Sequence, residues 1–276
     1  MPLVVVPTPI GNLEDITLRA LRELGSAELV LCEDTRRTRI LLDRHGISAR
    51  LESYHRHNEV RRTQEVLPLL VAGQRIALAS DAGLPGVNDP GARLVAAAIA
   101  AAIEVTVLPG PSAVETALVA SGLVGERYTF LGYLPRGAQA LVRLWEELAA
   151  WGWPAVAFES PQRLPASLRS LAGAHPGRAV AVCRELTKRF EEVVRGPAGE
   201  VARRFTEPPK GEITIVIGAA EPCAAGGARA GETAAEAEAA RAVAELLAAG
   251  VSRRHAAALV ARLTGVPKNR LYRESL

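Results

Sequence analysis

The chain has 276 residues, of which 49% are hydrophobic and 23% charged, and its net charge is +3. That balance excludes a disordered chain, and the absence of any run of 18 apolar residues excludes a membrane-spanning helix by sequence. Cys32, Cys183 and Cys223 form no CxxC pair, so neither a disulfide framework nor a metal site is expected, and the first seven residues lack the basic start and apolar core of a signal peptide, which points to the cytoplasm.

Leu3–Val6 reads as a short buried strand, followed by a tight loop over 7–12. Asn12 starts a helix whose apolar side is Ile16, Leu18, Leu21 and Leu24, ended by Gly25. A second strand over 28–32 leads into a turn at 33–36 and a helix to Leu42. A helix over 58–72 precedes a third strand at 75–79, a loop at 80–85 and a helix at 90–102. A fourth strand at 104–108, a loop at 109–112 and the helix Ala113–Ser121 complete the first half. Alternation of strand and helix predicts a largely parallel sheet covered on both faces.

After Gly122, strands are expected at 128–132, Ala155–Glu159, Ala179–Arg184, 190–195 and 212–218, with helices at 138–150 and 163–172. The gap before 190–195 is too short for a helical crossover, so part of this sheet is antiparallel. Residues 222–231 are a Gly/Ala-rich linker, and helices follow at 234–249, 253–263 and 267–273. The fold class is therefore α/β, with two α/β domains at 1–117 and 118–219, a linker at 220–233, and a small helical tail at 234–276. In residues 251–276 six Lys or Arg face one Glu. Such a tail fits a helix-turn-helix that grips a polyanion, and equally a solvated packing appendage.

Ligands of open α/β sheets bind beyond the C-terminal ends of the strands. Four unusual loops, 7–12, 33–36, 80–85 and 109–112, fall there. They contain no GxxxxGK[ST] and no GxGxxG, so a phosphate cradle is not supported. Backbone stiffened by Pro7, Pro9, Pro85, Pro109 and Pro111 suits a cofactor without phosphates, with Asp81 and Ser112 as polar groups among apolar neighbours.

The strings VPTPIGN (6–12), EDTR (33–36), HNE (57–59), SDAGLPGVNDPG (80–91), LPGPSA (108–113), GYLPR (132–136), FESPQR (158–163), RELTK (184–188) and KGEI (210–213) resemble the tetrapyrrole-methylase-like superfamily. More narrowly they are similar to its ribosomal RNA small-subunit methyltransferase I branch. The resemblance implies 2′-O-ribose methylation of a cytidine in the decoding region of 16S rRNA, using S-adenosyl-L-methionine. It also implies a homodimer whose subunits hold the donor in a cleft between two domains, with the small ribosomal subunit as partner. Carried over, Pro9 lies in the first donor-binding loop, Asp81, Ala82, Gly83 and Leu84 in the second, and Ser112 and Ala113 in the third. Phe158, Glu159 and Gly211 close the site from the second domain. Leu84 stands where Thr is usual.

For proton transfer the candidates are Asp34 and His57, with Glu33 and Glu59 behind them, and Arg36 beside the reacting groups. Asp34 is also a good helix cap, and both roles stand on the sequence. Arg36 and Arg37 match phosphate oxygens bidentately or form a solvated face. Asn58 orients a nucleotide or caps its helix. Lys188 is one of only three lysines, which favours a specific role; Arg253, Arg254, Lys268 and Arg270 form the basic face of the tail. Glu159 pairs with Arg163, or Glu185 with Lys188, unless these carboxylates touch the donor. The alternative is a methyltransferase acting on a small tetrapyrrole, which needs neither EDTR nor HNE nor a basic tail.

Overall fold

The Leu-Val-Val-Val run forms strand β1 (Leu3–Val6), buried at every position, in a computed structural model that describes residues 2–220, 234–267 and 271. A short 3-10 turn, Leu13–Asp15, leads to helix α1 (Leu18–Ser26). Then come β2 (Leu29–Cys32), α2 (Thr35–Arg44), β3 (Leu51–Ser53), α3 (Glu59–Val71), β4 (Ile76–Ala79), α4 (Ala92–Ala100), β5 (Val105–Val107) and α5 (Ala113–Ser121). The five strands form one parallel sheet in the order β3-β2-β4-β1-β5. Successive side chains leave a strand on opposite faces. Val4, Val6, Val30, Cys32, Ala77 and Ala79 therefore pack under Ala20, Leu24, Leu41 and Leu42 of α1 and α2. Leu3, Val5, Leu29, Leu31, Ile76 and Leu78 pack under Val66, Leu70, Leu94 and Ala98 of α3 and α4.

The second sheet comprises β6 (Thr129–Tyr133), β7 (Ala155–Glu159), β8 (Ala179–Arg184), β9 (Glu192–Pro197) and β10 (Ile213–Ile217), in the order β6-β7-β10-β8-β9. Only β6 and β7 are parallel; the other pairings are antiparallel, as the short gap before β9 requires. Helices α6 (Ala138–Leu148), α7 (Leu164–Ala174) and α8 (Ala198–Arg204) cover one face around the buried Trp145. The other face is covered by α5, whose Val114, Ala117 and Leu118 meet Val156, Ala181, Cys183 and Val216. The expected boundary at 117/118 thus falls inside a helix that follows the first sheet in sequence and packs on the second.

Two elements were not expected, β3 and α8. β3 is three residues long and its Leu-Glu-Ser has no apolar run to mark it. Asn12 caps the 3-10 turn, accepting from Glu14 N, and Thr17 caps α1 instead. Chain contacts divide the protein into two compact units, Met1–Ala220 and Glu221–Leu276. In the second, α9 (Ala234–Ala248) and α10 (Arg253–Thr264) share a small core of Ala239, Val243, Ala256, Ala257, Val260, Val266 and Leu271. The expected linker at 222–231 lies outside the described residues, as do Lys268 and Arg270 and most of the expected helix at 267–273. Among the described residues no helix is long and apolar enough to cross a membrane.

Candidate active site

The loops after β1, β4 and β5 are tied into one rigid rim. Thr8 and Gly83 exchange two backbone hydrogen bonds of 2.9 Å. The Thr8 hydroxyl donates to the Ser80 carbonyl at 3.0 Å, and the Ser80 hydroxyl donates to the Gly83 carbonyl at 2.5 Å. A Cβ on Gly110 would lie 2.7 Å from the Pro7 ring, so only glycine lets the first and third loops touch. Asp81 extends the rim sideways: its Oδ1 accepts from Asp34 N at 2.9 Å and its Oδ2 lies 3.8 Å from Arg37.

The second sheet closes on this rim through the β8–β9 connection. Thr187 Oγ1 accepts from Asn12 N at 3.0 Å, and a Cβ on Gly11 would lie 2.9 Å from the Leu186 carbonyl. Glu185 (φ +53°) and Thr187 (φ +65°) are both left-handed, an uncommon state for non-glycine residues. Glu185 is held by Glu212 N at 2.9 Å and by Lys188 Nζ at 2.9 Å, and these two partners draw its carboxyl below the usual range. Its side chain fills the space that a Cβ on Gly211 would need.

Between rim and second sheet lies a cavity of about 860 Å³. One wall is loop backbone and small residues from Ala82 to Leu84 and from Leu108 to Ala113. The facing wall is aromatic: Phe130 and Tyr133 stand edge-on to Phe158 at 5.0 and 5.7 Å between centroids. Glu115 also lines it, accepting from the Ser112 hydroxyl and from Tyr128 Oη at 2.5 Å. Burial raises the Glu115 carboxyl, but those two hydrogen bonds outweigh it and hold it below the ordinary value.

Residues 2–202 match the family model of Tetrapyrrole (Corrin/Porphyrin) Methylases, and residues 233–276 match the model of the RsmI C-terminal HTH domain. A Ribosomal RNA small subunit methyltransferase I from Mesorhizobium japonicum is 45% identical over 99% of this chain and 91% of its own. One of the same name from Thermotoga maritima is 44% identical over 79% of this chain and 99% of its own. The chain belongs to the tetrapyrrole methylase family, in its ribosomal RNA small subunit methyltransferase I group. Solved structures share the fold: the methyltransferase CobJ (TM-score 0.60, 20% identity, 79% of this chain and 94% of that one) and diphthine synthase (0.62, 14%, 79% and 90%).

Within this tetrapyrrole methylase fold, Ala82, Gly83, Leu84, Ser112, Ala113, Phe158, Glu159 and Gly211 all line the cavity. Pro9 and Asp81 do not: Pro9 is buried next to Ile10, which does, and Asp81 braces the rim through Asp34 N. Leu84 packs against the α3–α4 core, which accounts for an apolar residue there. Glu159 is fully committed, accepting from Ser160 N at 2.6 Å and Ser167 Oγ at 2.5 Å and pairing with Arg163 at 2.5 Å. Glu159 thus pairs with Arg163 and lines the cavity as well.

Asp34 is the N-cap of α2, accepting from Arg36 N, and it also holds the Arg36 guanidinium through two bonds of 3.1 and 2.9 Å. The Arg36 partner pulls its carboxyl down to about 2, which makes it a weak proton acceptor. Arg36 is 87% exposed and His57 is exposed, and neither lines the cavity. Asn58 folds back on its own loop, accepting from His55 N and donating to Ser53 O, so it makes no side-chain cap to α3. Lys188 serves the closure, paired with Glu185 and with Glu212 at 3.1 Å. Arg253 and Arg254 begin α10.

Sequence reasoning passed over Asp89, Glu115, Tyr128, Phe130 and Tyr133. The GYLPR and NDPG strings mark two of these neighbourhoods, but nothing along the chain says that they face one cavity.

Proposed function

We propose that the protein transfers the methyl group of S-adenosyl-L-methionine to the ribose 2′-hydroxyl of a cytidine in the decoding region of 16S rRNA, as a homodimer. The observation that carries this reading is the 860 Å³ cavity, walled by proline-stiffened backbone on one side and aromatic rings on the other. Its volume is that of a small-molecule site of about 300–1,000 Å³. Its rim offers backbone amides and carbonyls rather than a phosphate cradle, and rings such as Phe130, Tyr133 and Phe158 attract a sulfonium cation. The residues present therefore fit the donor, and the shared name of the relatives supports rRNA as acceptor.

The donor supplies an electrophilic methyl carbon. The chain's task is to aim an acceptor oxygen at it and exclude water. Orientation of this kind supplies about 7–11 kcal/mol of a barrier, more than a proton acceptor adds. The hydrogen-bonded rim and the Gly11–Leu186 closure keep that geometry from relaxing. Exposed Arg36 and Arg37, with Arg253 and Arg254 of the tail, supply phosphate contacts that position the RNA.

Incubation with methyl-labelled donor and either small ribosomal subunits or uroporphyrinogen tests the reading. Label at one cytidine ribose of 16S rRNA is expected; label in the tetrapyrrole alone, or in neither, overturns it. Light scattering of the purified protein checks the dimer.

A further inference from the structure

A second cavity, about 700 Å³ and more open, lies between the first turns of α3 and α4. Arg56, Thr63, Gln64 and Arg93 line it, with Ala96 and Ala97 on the α4 side. Among the described residues Asp89 alone borders both this cavity and the larger one.

Four carboxylates line the larger cavity: Asp89, Glu115, Glu159 and Glu212. Glu115 is occupied by two hydroxyls, Glu159 by Arg163 and two further donors, and Glu212 by Lys188. Among the described residues Asp89 has no hydrogen-bond donor; burial and the charges of Glu33, Asp81 and Arg56 act on it. A half-buried carboxylate without a donor, at the junction of two cavities, is the feature the rest of the site does not explain.

We propose that the α3–α4 cavity holds the acceptor nucleotide and that Asp89 takes the proton of its ribose hydroxyl; this rests on the function given above. The hydroxyl oxygen bonds to the methyl carbon while the carbon–sulfur bond breaks and leaves its electron pair on sulfur. The hydroxyl proton passes to an Asp89 carboxylate oxygen, so a sulfonium, an alcohol and a carboxylate become a thioether, a methyl ether and a carboxylic acid. Arg56 and Arg93 are placed for the flanking phosphates, although Arg93 also lies 3.6 Å from Glu59. Thr63 and Gln64 offer neutral donors and acceptors for a base edge. A nucleotide enters such a cavity only when unstacked from its neighbours, which confines the site to accessible or deformable RNA.

The electrostatics agree. Burial first, then the charges of Glu33 before α2 and Asp81 after β4, push the Asp89 carboxyl up to about 6, while Arg56 before α3 opposes them. Asp89 is thus ionised at neutral pH yet far more basic than Asp34, the property a proton acceptor needs.

The test uses the full-length protein, with two measurements. Calorimetry follows cytidine 3′,5′-bisphosphate binding to protein loaded with S-adenosylhomocysteine. Single-turnover methylation of small ribosomal subunits is followed from pH 5 to 8. Ala96→Leu, on an exposed helix position, is expected to weaken bisphosphate binding about tenfold or more while leaving donor affinity unchanged. Asp89→Asn is expected to slow methyl transfer about 10²–10⁴-fold and to abolish its rise with pH through about 6. Normal bisphosphate binding in Ala96→Leu, or a wild-type rate and pH profile in Asp89→Asn, overturns the proposal. If the wild type labels no ribose but Ala96→Leu still abolishes bisphosphate binding, the assigned function falls and the nucleotide cavity stands. If the wild type labels the ribose and Ala96→Leu binds normally, the cavity proposal falls alone.

Discussion

The Asp81 carboxylate accepts a 2.9 Å hydrogen bond from the backbone N–H of Asp34 and so ties the loop after β4 to the first turn of α2. Replacing it with Ala leaves that N–H without its partner, a loss of about 1–3 kcal/mol. Asp81→Ala is expected to lower the denaturation midpoint and to weaken donor binding through the loosened loop. Asp81→Asn keeps an acceptor oxygen and is expected to fall between the two. Calorimetry with the donor and urea titration check both.

Asp34 caps α2 and holds Arg36, and its carboxyl sits near 2, below its ordinary value. A lowered carboxyl stabilises the fold above the unfolded value, and that contribution fades as pH falls through about 2. Asp34→Asn preserves a good cap. It is expected to keep methyl transfer while losing the pH-dependent part of the stabilisation. A collapse of turnover with an intact fold would make Asp34 the proton acceptor after all.

Asp89 has the opposite sign. Its raised carboxyl contributes stability below the unfolded value, near 3.8, and that contribution is lost as pH rises through about 6. Asp89→Asn is therefore expected to be more stable than wild type at pH 8, by about 1–2 kcal/mol after allowance for partial exposure. The gap should widen between about pH 4 and 6 and stay level above. Melting temperatures across that range measure it.

The closure of the second sheet on the rim depends on Gly11, whose Cβ would lie 2.5 Å from Lys188 Cγ, 2.7 Å from Thr187 Oγ1 and 2.9 Å from the Leu186 carbonyl. A backbone carbonyl cannot swing away as a side chain can. Gly11→Ala is expected to cost about 1–3 kcal/mol and to weaken donor binding by parting the walls. Gly46→Ala, at an open turn with φ +66°, carries backbone strain without any such contact and serves as the control.

The basic start of α10 predicts a salt effect. Arg254→Ala is expected to weaken binding to small ribosomal subunits and to reduce the slope of log affinity against log salt by about 1, with donor affinity untouched. Filter binding at several salt concentrations measures it; an unchanged slope would leave Arg254 as a solvated side chain.

Much of the architecture can be read along the chain because its causes are local. Four of the five strands of the first sheet follow from short apolar runs, three of them ending in Gly/Pro loops and β2 in the polar Glu33-Asp34-Thr35-Arg36. The antiparallel pairing in the second follows from the short gap before β9. β3 escapes because Leu51–Ser53 is held by pairing with β2 and carries no pattern of its own. The three loops of the rim are legible from their prolines and small residues, and eight of the ten residues assigned to them and to the second wall line the cavity.

The choices among polar residues are different in kind. Asp34, Asp81 and Asp89 are indistinguishable as aspartates in loops at strand ends. One became a cap because Arg36 N and its guanidinium lie beside it, one a brace because Asp34 N faces it across 47 positions of sequence, and one was left without a donor at the meeting of two cavities. Composition, periodicity and turn chemistry determined nine of the ten strands and the loops that follow them. Only the tertiary arrangement of the loops around the first sheet decided which carboxylate is spent on structure and which stays free, because hydrogen-bond partners and burial are set by neighbours in space.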